Sequence, residues 1–68
     1  MGETKQKIGF IGLGLMGQGF TKRLTECGYR VTGFDLDATK VEQASKHGVI
    51  AASNAAEVAK SSDVVLVC

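Results

Sequence analysis

The chain has 68 residues, of which 44% are hydrophobic and 22% charged, and it contains no proline. This composition fits one small globular unit and excludes a disordered or fibrous chain. Eight basic and seven acidic residues give a net charge of +1 without any basic run, so neither nucleic acid nor a membrane surface is a predicted partner.

The chain opens with a predicted strand, helix and strand. The run "KIGFI", Lys7–Ile11, is apolar and stops at a glycine, which indicates a buried strand. A helix is predicted from apolar residues that recur with helical spacing, namely Met16, Phe20, Leu24 and Cys27. Gly28 follows that helix directly, as glycine often follows a helix C terminus. The stretch "YRVTGFD", residues 29–35, is β-branched and aromatic and predicts the second strand.

A second helix and a third strand come next. Asp37 is a good N-cap for a helix over residues 38–47. Gly48 ends this helix as Gly28 ends the first. The stretch "VIAA", residues 49–52, predicts a weak third strand.

The last helix and strand complete an alternating pattern. "NAAE", residues 54–57, has the form of a capping box for a short helix ending at residues 60–62. "DVVLVC", residues 63–68, carries five consecutive apolar residues, which is typical of a strand covered on both faces within a parallel sheet. The order β-α-β-α-β-α-β predicts an α/β fold, a Rossmann-type doubly wound parallel sheet with strand order 3-2-1-4.

In this topology the fourth strand lies beside the first, at the centre of a larger sheet. Here it would be a hydrophobic edge, which natural proteins avoid. We therefore expect residues 1–68 to be the N-terminal portion, the first half, of a longer NAD(P)-binding Rossmann domain.

The glycine-rich segment after the first strand predicts a diphosphate site. Its spacing, G-x-G-x-x-G, is a weak signal alone, but it follows a strand and opens a helix within a βαβ unit. Gly12 allows a tight turn, Gly14 lets a pyrophosphate approach the backbone, and Gly17 lets the helix pack closely. The first helical turn adds unpaired N–H groups and a partial positive charge. The predicted cofactor-binding residues, acting through their backbone, are Gly12, Leu13, Gly14, Leu15, Met16 and Gly17.

A competing interpretation of this segment is a glycine-rich turn that only packs the helix tightly. Gly19 lies outside the motif, and we expect it to allow close packing.

Asp35 ends the second strand, 18 residues after Gly17. An acid at that strand end accepts hydrogen bonds from the adenosine ribose, and its charge would repel the 2′-phosphate of NADP. Asp37 is a competing acid, but its simplest role is to cap the next helix. No arginine stands at positions 36 or 37, which favours NAD. The positive charge of the nearby Lys40 favours NADP instead.

The remaining candidate residues predict neither a catalytic centre nor a metal site. His47 is the single histidine, and we expect it to be a surface residue at a helix end. Cys27 and Cys68 form no metal-binding pattern, and we expect two reduced core thiols in a cytoplasmic protein. The polar start "MGETKQK" predicts no signal peptide or membrane span.

The segment "IGFIGLGLMGQGFTKRLTECGYRVTGFD" resembles the N terminus of the β-hydroxyacid dehydrogenase family. This family includes 3-hydroxyisobutyrate dehydrogenase, tartronate semialdehyde reductase and 6-phosphogluconate dehydrogenase. The resemblance depends on the run G-F-I-G-L-G-x-M-G from Gly9 to Gly17 and on Phe20 and Leu24 in the helix. "NAAEVAKSSDVVLVC" is also similar to the family's third helix and fourth strand, so the resemblance covers nearly the whole chain.

The resemblance implies that residues 12–17 line the cofactor diphosphate and that Asp35 meets the ribose. NADP-preferring members tend to have Asn-Arg-Thr where this chain has Asp-Leu-Asp at positions 35–37, which again favours NAD. Topology places the nicotinamide near Gly12 and Cys68, so Cys68 is also a predicted cofactor-binding residue. The family's substrate-binding residues, its proton-transferring lysine and its helical substrate domain lie beyond this chain.

We therefore expect the full-length protein to be an NAD-dependent dehydrogenase of a small β-hydroxyacid, or a reductase of its semialdehyde, and a homo-oligomer. This chain would supply cofactor binding and no catalytic residue. Two alternatives are an enzyme that binds FAD or S-adenosylmethionine and a non-catalytic nucleotide-sensing module.

Overall fold

The computed structural model describes residues 6–67. Its elements alternate in the predicted order, with bounds β1 Lys7–Ile11, α1 Leu15–Glu26, β2 Arg30–Phe34, α2 Ala38–Ser45, β3 Ile50–Ala51, α3 Ala55–Lys60 and β4 Val64–Val67. None of the helices in this range is long and apolar enough to cross a membrane.

The strands form one four-stranded sheet in the order β3-β2-β1-β4, and all of its pairings are parallel. The predicted fold class and strand order are therefore confirmed. In the register, Ile11 at the end of β1 pairs with Phe34 at the end of β2 and with Val67 of β4. The carboxyl ends of these three strands consequently meet at one edge of the sheet.

The helix ends follow the predicted chemistry. The Asp37 carboxylate accepts a hydrogen bond from the Thr39 N–H at 3.0 Å, and the Asn54 side chain accepts one from the Glu57 N–H at 2.8 Å. The Glu57 carboxylate reaches back to the Ser53 N–H at 2.6 Å, one residue before the position that a capping box uses. Gly28 and Gly48 have φ of 92° and 104°, which confirms them as helix-terminating glycines.

The main core lies between the sheet and the pair α1 and α2. Its buried members come from β1, β2, the turn after β1, α2 and the residue before β3: Ile8, Phe10, Leu13, Val31, Ala44 and Val49. Helix α3 covers the opposite face, where Val58 is fully buried. Gly9 permits this contact, because a Cβ atom there would lie 2.6 Å from Val58 Cγ1.

The predicted inner face of α1 is confirmed only in part, because Leu24 packs against the core and Phe20 stacks on the buried Phe10 ring at 6.5 Å. Met16 is 71% and Phe20 54% exposed, while Gly17 and Thr21 are the buried residues of this helix. The physical reason is the close approach of the helix to the glycine turn at Gly17, where a Cβ atom would lie 2.7 Å from the Gly12 carbonyl oxygen, so the Gly17–Thr21 side of α1 is the buried one. Cys27 is exposed as well, so the expected core thiol at this position is wrong, and Cys68 lies outside the described residues.

Strand β4 is at the end of the strand order and is covered incompletely. Val64 is 39%, Leu66 42% and Val67 74% exposed. Burial on both faces, expected from the apolar run, is therefore not what these residues show; they form the exposed apolar edge also expected from the topology. That residues 1–68 are part of a longer domain stays a prediction.

Candidate functional site

The glycine turn and the acid after β2 meet at the carboxyl edge of the sheet. Because Ile11 and Phe34 are paired, the residues that follow them are neighbours. The Gly12 N–H donates to the Phe34 carbonyl at 2.9 Å, and the Leu13 N–H donates to Asp35 Oδ2 at 2.7 Å. The structure thus brings together the glycine turn and the acid after β2, which the sequence predicts as two separate features.

Two glycines of the motif are required by the shape of the turn. Gly12 has φ of 99°, a left-handed conformation that residues with a Cβ atom rarely adopt. At Gly17 a Cβ atom would lie 2.7 Å from the Gly12 carbonyl oxygen. Both steric roles are as predicted: Gly12 makes the turn, and Gly17 allows α1 to begin against it.

Gly14 differs from these two glycines because nothing in the described chain requires it. An added Cβ would have no atom within 4 Å, and its φ of −70° is open to any residue. The free space beside Gly14 is what the approach of a ligand to the backbone needs. Gly19 also has no neighbour within 4 Å and is exposed, so the close packing expected there is wrong.

The two leucine side chains of the turn differ in their environment. Leu13 is fully buried in the core, whereas Leu15 is 92% exposed. That a diphosphate is bound through the backbone of this turn stays a prediction. Helix α1 begins after Gly14 without a side-chain cap, so its first N–H groups and its partial positive charge are available to an anion.

Asp35 is held by two backbone donors. Its Oδ2 accepts from the Leu13 N–H, and its Oδ1 accepts from the Asp37 N–H at 2.8 Å. The bond from Leu13, then that from Asp37, and finally the charge of Lys40 lower the pKa of this carboxyl below its usual 3.8, against a smaller opposing effect of burial. Asp35 is thus an anion at neutral pH, and each carboxylate oxygen retains a further lone pair for a ribose hydroxyl.

A cavity of about 210 Å³ connects these parts of the site. Its lining comes from the ends of three strands and the residues just beyond them: Ile11, Gly12, Phe34, Asp35, Leu36 and Val67. Most of this lining is apolar, which suits a flat heterocyclic ring. A larger cavity of about 400 Å³ lies against α2 on the other side of Asp35, but no residue of the glycine turn lines it.

Two polar contacts between α1 and α2 are not predicted from the sequence. Gln18 Nε2 donates to the carbonyls of Leu13 and Lys40, both at 2.9 Å. His47 is half-buried, and its Nε2 lies 2.9 Å from the hydroxyl of the buried Thr21. His47 therefore lies at the end of α2, as predicted, but it is only partly at the surface because this end of α2 packs against α1.

The predicted contact at Cys68 lies outside residues 6–67. Within that range, no group of three histidine, cysteine, aspartate or glutamate side chains could hold a metal ion. The binding roles of the turn residues and of Asp35 remain predictions, which the geometry described above supports.

Residues 7–68 match the family described as the NAD binding domain of 6-phosphogluconate dehydrogenase. A relative 38% identical over 65 residues, the cytokine-like nuclear factor N-PAC of Pongo abelii, is matched over 96% of this chain and 12% of its own length. The structure of Mycobacterium tuberculosis 3-hydroxyisobutyrate dehydrogenase with L-serine has a TM-score of 0.90 and 36% identity, over 94% of this chain and 22% of that chain.

An imine reductase from Myxococcus stipitatus is similar as well. Its complex with NADP+ has a TM-score of 0.85 and 30% identity, over 90% of this chain and 21% of that one. A variant of it in complex with NAD+ has a TM-score of 0.88 and 28% identity, over 93% and 22% of the two chains. The chain therefore spans less than a quarter of the length of each of these proteins.

Proposed function

Since this chain belongs to the β-hydroxyacid dehydrogenase family, whose NAD-binding domain it matches, we propose that it binds the coenzyme of an oxidoreductase. The proposed reaction transfers a hydride between a small β-hydroxyacid, or its semialdehyde, and NAD. The observation that carries this proposal is the 2.7 Å hydrogen bond from the Leu13 N–H to Asp35. This bond joins the glycine turn to the acid after β2, and it supports the proposal that the turn binds the diphosphate and Asp35 the ribose.

The chain's own residues act by binding and orienting the coenzyme. The N–H groups at the start of α1, from Gly14 to Met16, face the diphosphate, and Asp35 accepts hydrogen bonds from the ribose. When bound, the nicotinamide supplies the hydride chemistry; its end of the coenzyme lies toward Gly12 and the end of β4, where Cys68 follows.

We expect NAD rather than NADP because of the charges around the ribose site. The Asp35 carboxylate repels a 2′-phosphate, and Leu36, 94% exposed, offers it no hydrogen bond. The positive charge of Lys40 near Asp35 acts in the opposite direction. Similar structures hold either coenzyme, so the local charges carry this part of the proposal.

The proposal is tested by titrating the full-length protein with NADH and with NADPH and measuring the nicotinamide fluorescence. NADH is expected to bind at least about tenfold more tightly, a difference of roughly 1.4 kcal/mol from repulsion between the carboxylate and the phosphate. The double variant Asp35→Asn with Leu36→Arg is expected to reverse this preference, because it removes the repulsion and adds a phosphate ligand.

Leu36→Gln is the matched control for the added charge, because position 36 is exposed and accepts either side chain. Equal binding of the two coenzymes by the unaltered chain would contradict the NAD preference. Absence of binding of both, together with binding of FAD or S-adenosylmethionine, would favour the other class of nucleotide-dependent enzyme.

A second candidate function is a nucleotide-sensing module without hydride transfer. It is favoured by the N-PAC relative, which is described as a nuclear factor. Both candidates require coenzyme binding, so the discriminating measurement is NADH formation from NAD and 3-hydroxyacids by the full-length protein. For the dehydrogenase we further propose a cytoplasmic homo-oligomer, in keeping with the exposed free thiol of Cys27.

A further inference from the structure

Gln18 connects the glycine turn to the neighbouring helix. It lies in the first two turns of α1, and its Nε2 donates to the Leu13 carbonyl and to the Lys40 carbonyl, each at 2.9 Å. A glutamine amide nitrogen carries two hydrogens, so both are used in these bonds. One holds the turn and the other holds α2, the helix that follows Asp35.

Leu13 is consequently fixed on every side. Its N–H is bound by Asp35, its carbonyl by Gln18, and its side chain is fully buried. The next residue is Gly14, which has no side chain to anchor it and more backbone freedom than any other residue. The position of Gly14 therefore depends on how firmly the preceding peptide is held.

The peptide that joins Leu13 to Gly14 is planar and trans. In such a peptide the carbonyl of the first residue and the N–H of the second point in opposite directions. Gln18 holds the Leu13 carbonyl and also bonds Lys40 of α2, so it fixes the Gly14 N–H on the opposite side of this peptide from the Gln18 amide.

The bond from Gln18 to the Lys40 carbonyl holds the start of α2 close to the start of α1. Lys40 lies in the first turn of α2, and its own N–H donates to the Asp37 carbonyl at 3.0 Å. The segment from Asp35 to Lys40 is therefore tied through Gln18 to the start of α1. Together with the direct bond from the Leu13 N–H to Asp35, this bond links the glycine turn to the segment that carries Asp35.

We propose that Gln18 is a positioning residue that directs the Gly14 N–H toward the coenzyme diphosphate and holds this turn at a fixed distance from Asp35. It acts without touching the coenzyme, because its donors are already paired. This role rests on the proposed function, since it presumes that a dinucleotide occupies the site.

Calorimetric titration of the full chain with NADH, 5′-ADP and adenosine tests this role in Gln18→Met, which keeps the side-chain length and loses both bonds. Binding of NADH and ADP is expected to weaken on the order of tenfold, the effect of two hydrogen bonds, while adenosine binding stays unchanged. The control is Gln43→Met, an exposed α2 glutamine that lines the same cavity of about 250 Å³ as Gln18; all three affinities should persist in it.

Gln18→Glu adds a readout that a purely structural role would not change. A carboxylate cannot donate to two carbonyls, but its protonated form can donate to one. ADP affinity of Gln18→Glu should therefore rise as the pH falls from about 8 to about 5, approaching the carboxyl pKa from above. Gln18→Met, which retains the neighbouring Asp35, Lys40 and His47, should show no such rise.

The outcomes separate this inference from the proposed function. Failure of the unaltered chain to bind NADH and ADP would overturn the proposed function. Normal binding by that chain, with unchanged ADP affinity in Gln18→Met, would overturn the role of Gln18 alone. Equal losses for adenosine and ADP would also overturn it, because they would indicate general damage to the fold.

Discussion

Replacing Gly14 by valine is expected to remove NADH binding while leaving the chain folded. The added Cβ meets no atom of the described chain within 4 Å, and the backbone at Gly14 is extended with φ of −70°. The larger side chain therefore fits the protein but fills the space proposed for the diphosphate. We expect the affinity for NADH to fall roughly hundredfold or more, equivalent to about 3 kcal/mol or more.

Gly19→Val is the matched control for this variant. Gly19 also has open space around it, and it lies within α1, two residues after the motif. Valine is a better helix former than glycine, so this variant should be at least as stable as the unaltered chain and should bind NADH normally. Calorimetric titration of both variants, with thermal unfolding alongside, makes the comparison; undiminished NADH affinity in Gly14→Val would contradict the proposed diphosphate site.

The second large effect is expected for Asp35→Ala, which should weaken both the fold and coenzyme binding. The substitution removes the acceptor of the Leu13 N–H in the part-buried turn and the acceptor of the Asp37 N–H. A donor left without an acceptor in a buried setting costs about 1–3 kcal/mol, and the ribose loses its hydrogen-bond partner. Urea unfolding and NADH titration measure the two losses separately.

The pH dependence identifies the carboxylate as the cause of the lost stability. Because the folded state lowers the pKa of Asp35 below 3.8, its contribution to the free energy of unfolding is complete above that value. It is lost as the pH falls through 3.8 toward the lower folded pKa. The stability difference between the unaltered chain and Asp35→Ala should therefore be constant from about pH 7 to pH 5 and shrink toward about pH 3.

Glu26→Ala provides the charge control, because Glu26 is an exposed carboxylate at the end of α1. It should alter neither NADH binding nor, beyond a few tenths of a kcal/mol, the free energy of unfolding. A stability difference for Asp35→Ala that stays constant down to about pH 3 would show that the ionised carboxylate does not hold the turn.

The fold could be predicted from the sequence because its determinants are local. Alternating apolar strands and amphipathic helices define the order, and Gly28, Gly48, Asp37 and Asn54 mark the helix ends that the structure contains. Parallel pairing then follows from the short crossovers, since consecutive strands joined through a helix run in the same direction.

The errors concern contacts between elements that are distant along the chain. The inner face of α1 depends on how closely Gly17 approaches the Gly12 carbonyl. The spacing of apolar residues along a helix does not predict that distance. The bonds of Gln18 to Lys40 and of His47 to Thr21 join residues 22 and 26 positions apart. A polar residue on the first turn after a glycine motif could have indicated Gln18 as a candidate, but not its partners.

The glycine turn and Asp35 were each predictable as candidate site residues, but the hydrogen bond that joins them was not. Glycine spacing indicated the turn, and the strand end indicated Asp35 as the ribose acid. The sequence did not indicate that Asp35 also binds the Leu13 N–H, because that bond depends on the register between β1 and β2. One carboxylate therefore both shapes the turn and, as proposed, binds the coenzyme.

Amide chemical shifts of the full-length protein during titration with NAD would report where the coenzyme binds. We expect saturable shifts of the Gly14, Leu15 and Met16 amides, while the amides of Gly28 and Gly48, at the far ends of α1 and α2, stay unchanged. Saturable shifts confined to residues away from the start of α1, or none at all at high NAD concentration, would contradict the proposed coenzyme binding.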